Sequence, residues 1–179
     1  MRRDAGFTLI EIAVVLVILS MLIGTTITNM RGLLPSAATE SAAREILGTM
    51  DFARTQAVAR GYSYAVRFDL DEQRYAIATP FDEYDNFTED ETRSTLLPWH
   101  AMPEGTVLEG LLDATGQRRE RGTWTLSFHP SGESRDFWAY IGHVAGESHL
   151  VTVRVLGLNG LATLIQGESL PPVVTENDF

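Results

Sequence analysis

The sequence predicts an α+β protein: a long N-terminal helix, half suited to a membrane and half amphipathic, packed on a head of antiparallel β-sheet. Three observations predict it. From Phe7 to Met30 the chain runs 24 residues with Glu11 as its one charge. From there to Arg60, apolar residues recur at helical spacing: Leu34, Ala38, Ala42, Ile46 and Met50, then Ala53 and Ala57. Beyond Gly61 the apolar period changes to two, the period of a half-buried strand.

The apolar run comes first. At ~1.5 Å per residue a helix of that length spans about 36 Å, more than the ~30 Å hydrocarbon core of a bilayer. Arg2 and Arg3 precede it, Arg31 closes it, and Asp4 offsets part of the leader, so charge only weakly favours a cytoplasmic N-terminus. A cleaved secretory signal fits less well, because the run outlasts the usual h-region and no small-x-small site is clean near its end. Length alone fits an ordinary signal anchor. Glu11 argues for more. A charge within a transmembrane helix costs up to ~3 kcal/mol at the centre, so an ionisable residue there is a functional hypothesis with a partner to be named. Within the run no basic residue accompanies it, and Arg31 lies twenty residues on. Cutting the chain after Gly6 would create an α-ammonium on Phe7, four residues before Glu11.

The string Gly6-Phe7-Thr8-Leu9-Ile10-Glu11, after the short basic leader MRRDAG and before the apolar run, resembles the class III signal of type IV pilins and type II secretion pseudopilins. The resemblance implies cleavage after Gly6 by a prepilin peptidase, N-methylation of Phe7, and pairing of Glu11 with the terminal amine of a neighbouring subunit in a filament. Loss of the leader removes two arginines and one aspartate and leaves a side-chain charge of −11.

Gly32 and Pro35 interrupt or kink the helix, and the amphipathic pattern resumes from Ser36 to Arg60 with Glu40, Arg44, Glu45, Asp51 and Arg54 off the apolar line. Gly61 closes it. "YAVRFDL" then sets Val66, Phe68 and Leu70 on one face and Arg67 and Asp69 on the other, and "RYAIAT" answers after the turn Asp71-Glu72-Gln73. Further strands are expected at 106–112, 124–129, 136–141 and 149–156, with Asn159-Gly160 as a two-residue hairpin turn. Trp124, Phe128, Phe137, Trp138 and Tyr140 fall mainly in strands and read as core and sheet-face packing. The tail "LPPVVTENDF" reads as a loose acidic end. The expected divisions are therefore a leader at 1–6, a transmembrane helix at 7–30, an amphipathic continuation at 31–60 and a periplasmic head at 61–179.

The helix end "ARTQAVARG", the turn in "LSFHPSGES" and the closing "VTVRVLGLNG" resemble the H-type minor pseudopilins and their FimT-like relatives. That resemblance implies a structural subunit of the periplasmic pseudopilus of a type II secretion system, held in the bacterial inner membrane by a single pass. Its implied partners are other pseudopilins, the prepilin peptidase, the inner-membrane assembly platform and inner-membrane lipid. It implies neither enzymatic activity nor a cofactor. The alternative it leaves open is a FimT-like minor type IV pilin serving DNA uptake or pilus assembly. Charge weighs against nucleic acid. The chain carries 24 acids against 14 bases, a net charge of −10, and its tail has two acids and no base.

The remaining candidates for chemistry are weak. With no cysteine there is no disulfide, thiolate nucleophile or thiolate metal site. Six acids between Asp82 and Glu91 invite a calcium site, but the run lacks the D-x-D-x-D-G spacing and reads as a solvated loop. Asn86-Phe87-Thr88 matches a glycosylation acceptor, a pattern short enough to arise by chance. His100, His129, His143 and His149 show no metal-ligand spacing, and Ser131 and Ser134 sit in a turn rather than a G-x-S-x-G elbow. Arg118 to Arg121, "RRER", reads as a loop between strands.

Overall fold

The computed structural model describes residues 9–30, 33–84, 86–88, 93–144 and 146–171, with the side chains at 23–35, 147 and 148 outside that description. The chain divides into two compact units, Met1–Pro35 and Ser36–Phe179. The first contains α1 (Leu9–Met30). The expected leader and cleavage site lie outside the described residues.

Helix α2 (Leu33–Arg60) starts three residues before Ser36, where the amphipathic pattern resumes. Pro35 sits in its first turn, where the N–H that proline lacks would have had no intrahelical partner. Ala42, Ile46, Met50, Ala53 and Ala57 are buried, joined by Ala43, so the expected stripe is the face that meets the core. Glu40 and Arg44, off that stripe, pair with each other one turn apart. At the C-terminus the Gly61 N–H donates to the Ala57 carbonyl at 3.0 Å and stops the helix.

The strands follow in order: β1 (Tyr64–Asp69), β2 (Arg74–Ala78), β3 (His100–Ala101), β4 (Thr106–Asp113), β5 (Arg118–Arg119), β6 (Thr123–Phe128), β7 (Phe137–His143), β8 (Gly146–Leu156) and β9 (Leu161–Gln166). They form two antiparallel sheets, ordered β3-β2-β1-β6 and β5-β4-β7-β8-β9. Alternation drives the packing. Val66, Phe68, Ile77, Leu126 and Phe128 from the first sheet meet Phe137, Ala139, Ile141, Val151, Val153 and Val155 from the second, with the α2 stripe in the same cluster. The stripe is rich in alanine, and small side chains let the sheets approach the helix backbone closely. The intervening residues Trp138 and Tyr140 form a second cluster with Leu112 and Leu150 on the opposite face of the five-stranded sheet.

Two devices tie the sheets together. At one end, Gln73 takes a positive φ of 50° and aims its amide at Leu108. Its Nε2 donates to the Leu108 carbonyl at 3.2 Å, and its Oε1 accepts from the Leu108 N–H at 2.7 Å. A turn residue thereby imitates a strand neighbour. The other device runs through α2, from Arg54 to the loop between β8 and β9.

Several expectations need correction. Asp69, expected on the face opposite Val66 and Phe68, is only 8% exposed there. Arg74 donates to its Oδ2 from Nε and Nη2 at 3.2 and 3.1 Å, which satisfies the buried carboxylate. Asn159-Gly160 is not a two-residue turn, because Leu156 pairs with Leu161 and leaves a four-residue loop closed by the Gly160 N–H on the Leu156 carbonyl at 2.7 Å. Arg118 and Arg119 are not loop residues but a short strand paired with Leu112 and Leu111. Finally, β8 starts at Gly146, so His149 lies within the strand rather than opening it.

Candidate assembly site and head surfaces

Helix α1 presents an unusual surface. Its described side chains, Leu9 to Leu22, are exposed on every side: Ile10 is 72% exposed, Ile18 52% and Leu22 58%. Ser20, the hydroxyl among them, donates back to its own Val17 carbonyl at 2.8 Å and so hides its polarity within the helix. A helix apolar all round is stable only when something apolar surrounds it. Among the described residues no helix is long and apolar enough to cross a membrane, and Phe7, Thr8 and the side chains at 23–30 of the expected span lie outside them. Glu11 stands in the first turn of α1 among the described residues. Gly6 and Phe7 lie outside the described residues, so of the three predicted site residues the structure places Glu11.

In the head, the three motifs that carried the finer resemblance meet at one junction. Arg54, within "ARTQAVARG", donates from Nε to the Asn159 carbonyl at 2.7 Å, across 105 residues. The turn of "LSFHPSGES" closes with the Gly132 N–H on the His129 carbonyl at 2.9 Å. Ser134 donates its N–H to the Gly157 carbonyl and its hydroxyl to Ser127, each at 2.8 Å. The Gly157 N–H answers on the Asp136 carboxylate, also at 2.8 Å. Both loops crowd the helix. A Cβ on Gly160 would stand 2.4 Å from the Gly132 carbonyl oxygen and 3.2 Å from Arg54 Cδ. A Cβ on Gly132 would stand 3.3 Å from Arg54 Nη2, and both glycines adopt positive φ. The glycines are thus needed for conformation and for space. Sequence spacing placed Arg54 merely off the apolar stripe; its partner lies too far along the chain for any local period to reveal.

The other candidates behave as structure. The Asp82 carboxylate is wrapped by its own loop: Oδ1 accepts from the Tyr84 and Asn86 N–H groups, each at 2.9 Å, and Arg93 lies 3.5 Å from Oδ2. The Asn86 backbone bond chiefly, with Tyr84, the Asn86 side chain and Arg93, holds its pKa below the ordinary value against the opposing effect of burial. Asp85 and the acids at 89–91 lie outside the described residues. His100 stacks on Tyr75 at 5.7 Å, and His129 closes a turn by donating its N–H to the Glu133 carbonyl. Among the described residues no group of three histidines or acids could hold a metal ion. Burial, followed by the nearby Glu45 carboxylate, pushes the Tyr75 phenol well above its ordinary range, so it stays neutral. Tyr140 is raised too, by burial first and Glu168 second, against Arg118, whose guanidinium lies 4.8 Å from the ring centre. Its hydroxyl donates to the Ser169 carbonyl at 2.9 Å and pins the segment after β9 to the sheet.

Two family models match this chain: the prokaryotic N-terminal methylation motif over residues 1–27 and the type II transport protein GspH over residues 42–158. The type II secretion system protein H of Pseudomonas aeruginosa is 32% identical over 117 residues, which are 63% of this chain and 62% of that protein. The match therefore spans less than two thirds of that relative's length. Two structures of the minor pseudopilin EpsH from the type 2 secretion system of Vibrio cholerae share the fold. One has a TM-score of 0.57 at 18% identity, covering 74% of this chain and 99% of that one. The other has a TM-score of 0.56 at 17% identity, covering 75% and 98%.

Proposed function

The chain belongs to the type II transport protein GspH family, and on that premise we propose that it is a minor pseudopilin, a structural subunit of the periplasmic pseudopilus of a type II secretion system. The observation that carries the reading is α1: apolar side chains exposed on every side, with one carboxylate in the first turn. Residues 1–6 are the leader removed by a prepilin peptidase, Phe7 becomes the methylated N-terminus, and residues 7–30 cross the inner membrane with the head in the periplasm. Family and motif support each step.

The physics of assembly follows from where α1 can be covered. Lipid tails are as apolar as leucine, so moving α1 from bilayer to filament core gains little from the hydrophobic effect itself. What differs between the two is electrostatic. In lipid the Glu11 carboxylate costs up to ~3 kcal/mol if it lies deep, whereas a neighbour's terminal ammonium in the filament core offers it a counter-charge where no water competes. The pair thus favours the filament and fixes the stagger between subunits. Other pseudopilins and the inner-membrane assembly platform are the partners this requires. Neither a cofactor nor a catalytic group enters the mechanism.

The test is the intact mass and N-terminal sequence of membrane-extracted protein from cells with and without the prepilin peptidase. The reading predicts a chain starting at methylated Phe7 only when the peptidase is present. A chain still starting with MRRDAG in both strains would make α1 a plain anchor and overturn it.

A further inference from the structure

The two sheets leave an open side where strands β5 and β6 each end a sheet. A broad cleft of about 770 Å³ lies there, lined by Arg67, Arg119 and Arg135, by Trp99 and Trp124, and by Asp113. In a chain of net charge −10, three arginines against one acid is a local reversal of sign. The single acid is shared between its own turn and the nearby charge of Arg119, whose Nη2 also donates to Gln117 Oε1 at 3.3 Å. Asp113 Oδ1 accepts from the Thr115 N–H at 2.9 Å, the Thr115 hydroxyl at 2.6 Å and the Gln117 N–H at 3.2 Å. Arg119 lies over Trp124, 4.6 Å from the ring centre, and among the described residues neither it nor Arg135 makes a salt bridge.

A second observation is independent of charge. The Leu70 N–H donates to the Gly122 carbonyl at 3.0 Å, which sets the alternation of the β1–β6 ladder. Trp124 and Leu126 then turn their backbone groups toward β1, and Thr123, Thr125 and Ser127 turn theirs to the free edge. Ser127 confirms the phase, since its carbonyl accepts from the Ser134 hydroxyl on that side. The far half of the edge is therefore occupied by the 129–136 loop. The near half, Thr123 and Thr125, opens into the arginine cleft.

We propose that this cleft is a docking site for an extended acidic segment of a partner protein, added as a strand on the edge of β6. Backbone groups pair with Thr123 and Thr125, and carboxylates on one face of the segment reach Arg119 and Arg135. Strand addition supplies affinity through main-chain bonds, and side chains at alternate positions supply specificity. Guanidinium is the cation suited to this task, because its planar fork meets a carboxylate with two bonds and stacks on tryptophan. The site does not depend on which assembly the chain joins.

The test uses the full chain in non-ionic detergent and a fluorescein-labelled peptide of alternating glutamate and valine, read by fluorescence anisotropy. The peptide should bind, weaken as salt rises, and lose roughly tenfold or more affinity to the R119E/R135E double variant. The same peptide N-methylated at alternate backbone nitrogens should also lose binding while leaving the protein untouched, which separates strand pairing from misfolding of a variant. Equal binding by the double variant and the parent would overturn the proposal. So would undiminished binding of the N-methylated peptide, equal binding of the lysine–valine counterpart, or tighter binding of a single-stranded oligonucleotide than of the acidic peptide.

Discussion

Ile18 and Ile46 are the same residue in two helices of one chain, and their surroundings are opposite. Ile18 of α1 is 52% exposed; Ile46 of α2 is fully buried among both sheets. Leucine, isoleucine and valine fill α1 on all sides, whereas α2 confines its apolar residues to one stripe and salts the rest with Glu40, Arg44, Glu45 and Asp51. A one-sided helix completes its burial inside its own domain. An all-round helix cannot, and its stability is settled by whatever surrounds it. One region thus encodes a fold and the other encodes an association.

The sharpest way to break that comparison is to delete the same atoms from each helix. Ile46→Ala should destabilise the head by about 2–5 kcal/mol, the usual cost of lost burial plus a cavity. Ile18→Ala should leave head stability within about 0.5 kcal/mol. Urea unfolding of the full chain in detergent, followed by the fluorescence of Trp124 and Trp138, checks both. Equal losses would mean that α1 belongs to the same core.

A smaller effect is expected where α2 meets the two loops. Gly160→Ala demands a left-handed backbone from alanine and drives its Cβ against the Gly132 carbonyl, so a loss of about 2 kcal/mol should appear in the same titration. A variant as stable as the parent would show that the Arg54 junction is loosely packed.

The smallest effect is the pH response of the loop around Asp82. Its native pKa is depressed, so the stability it lends is complete above the ordinary aspartate value of 3.8 and is lost as pH falls through the lower native value. Cutting by pepsin between 83 and 92 should accelerate as pH drops below that value, relative to cutting elsewhere in the head. Asp82→Asn should flatten this dependence. An unchanged profile in the variant would assign the acid response to another group.

How far the sequence revealed this molecule follows the range of each interaction. The stripe from Ala42 to Ala57 and the alternation of Val66 and Phe68 are local periods, and both lie where expected. Phe128, Phe137, Trp138 and Tyr140 are buried as anticipated, although only the fold assigns Phe137 to the main core and Trp138 to the opposite face. What stayed hidden is long-range. Gln73 reaches Leu108, Arg54 reaches Asn159, and β5 pairs only two residues, too few for a pattern. The burial of Asp69 was hidden too, because alternation predicts a face and not the guanidinium that Arg74 brings to it. Of the candidate site, the motif around Gly6, Phe7 and Glu11 was legible because it is contiguous. The arginine cleft was not, since it gathers residues from 67 to 135.

The most direct measurement of the central claim is the incorporation of Glu11→Ala into filaments, scored by cross-linking to neighbouring subunits in cells that express the parent level of protein. The account predicts normal cleavage after Gly6 and normal membrane abundance, with cross-linked product reduced at least tenfold. Cross-linking at the parent level would show that α1 associates without its carboxylate, and the electrostatic account of assembly would be wrong.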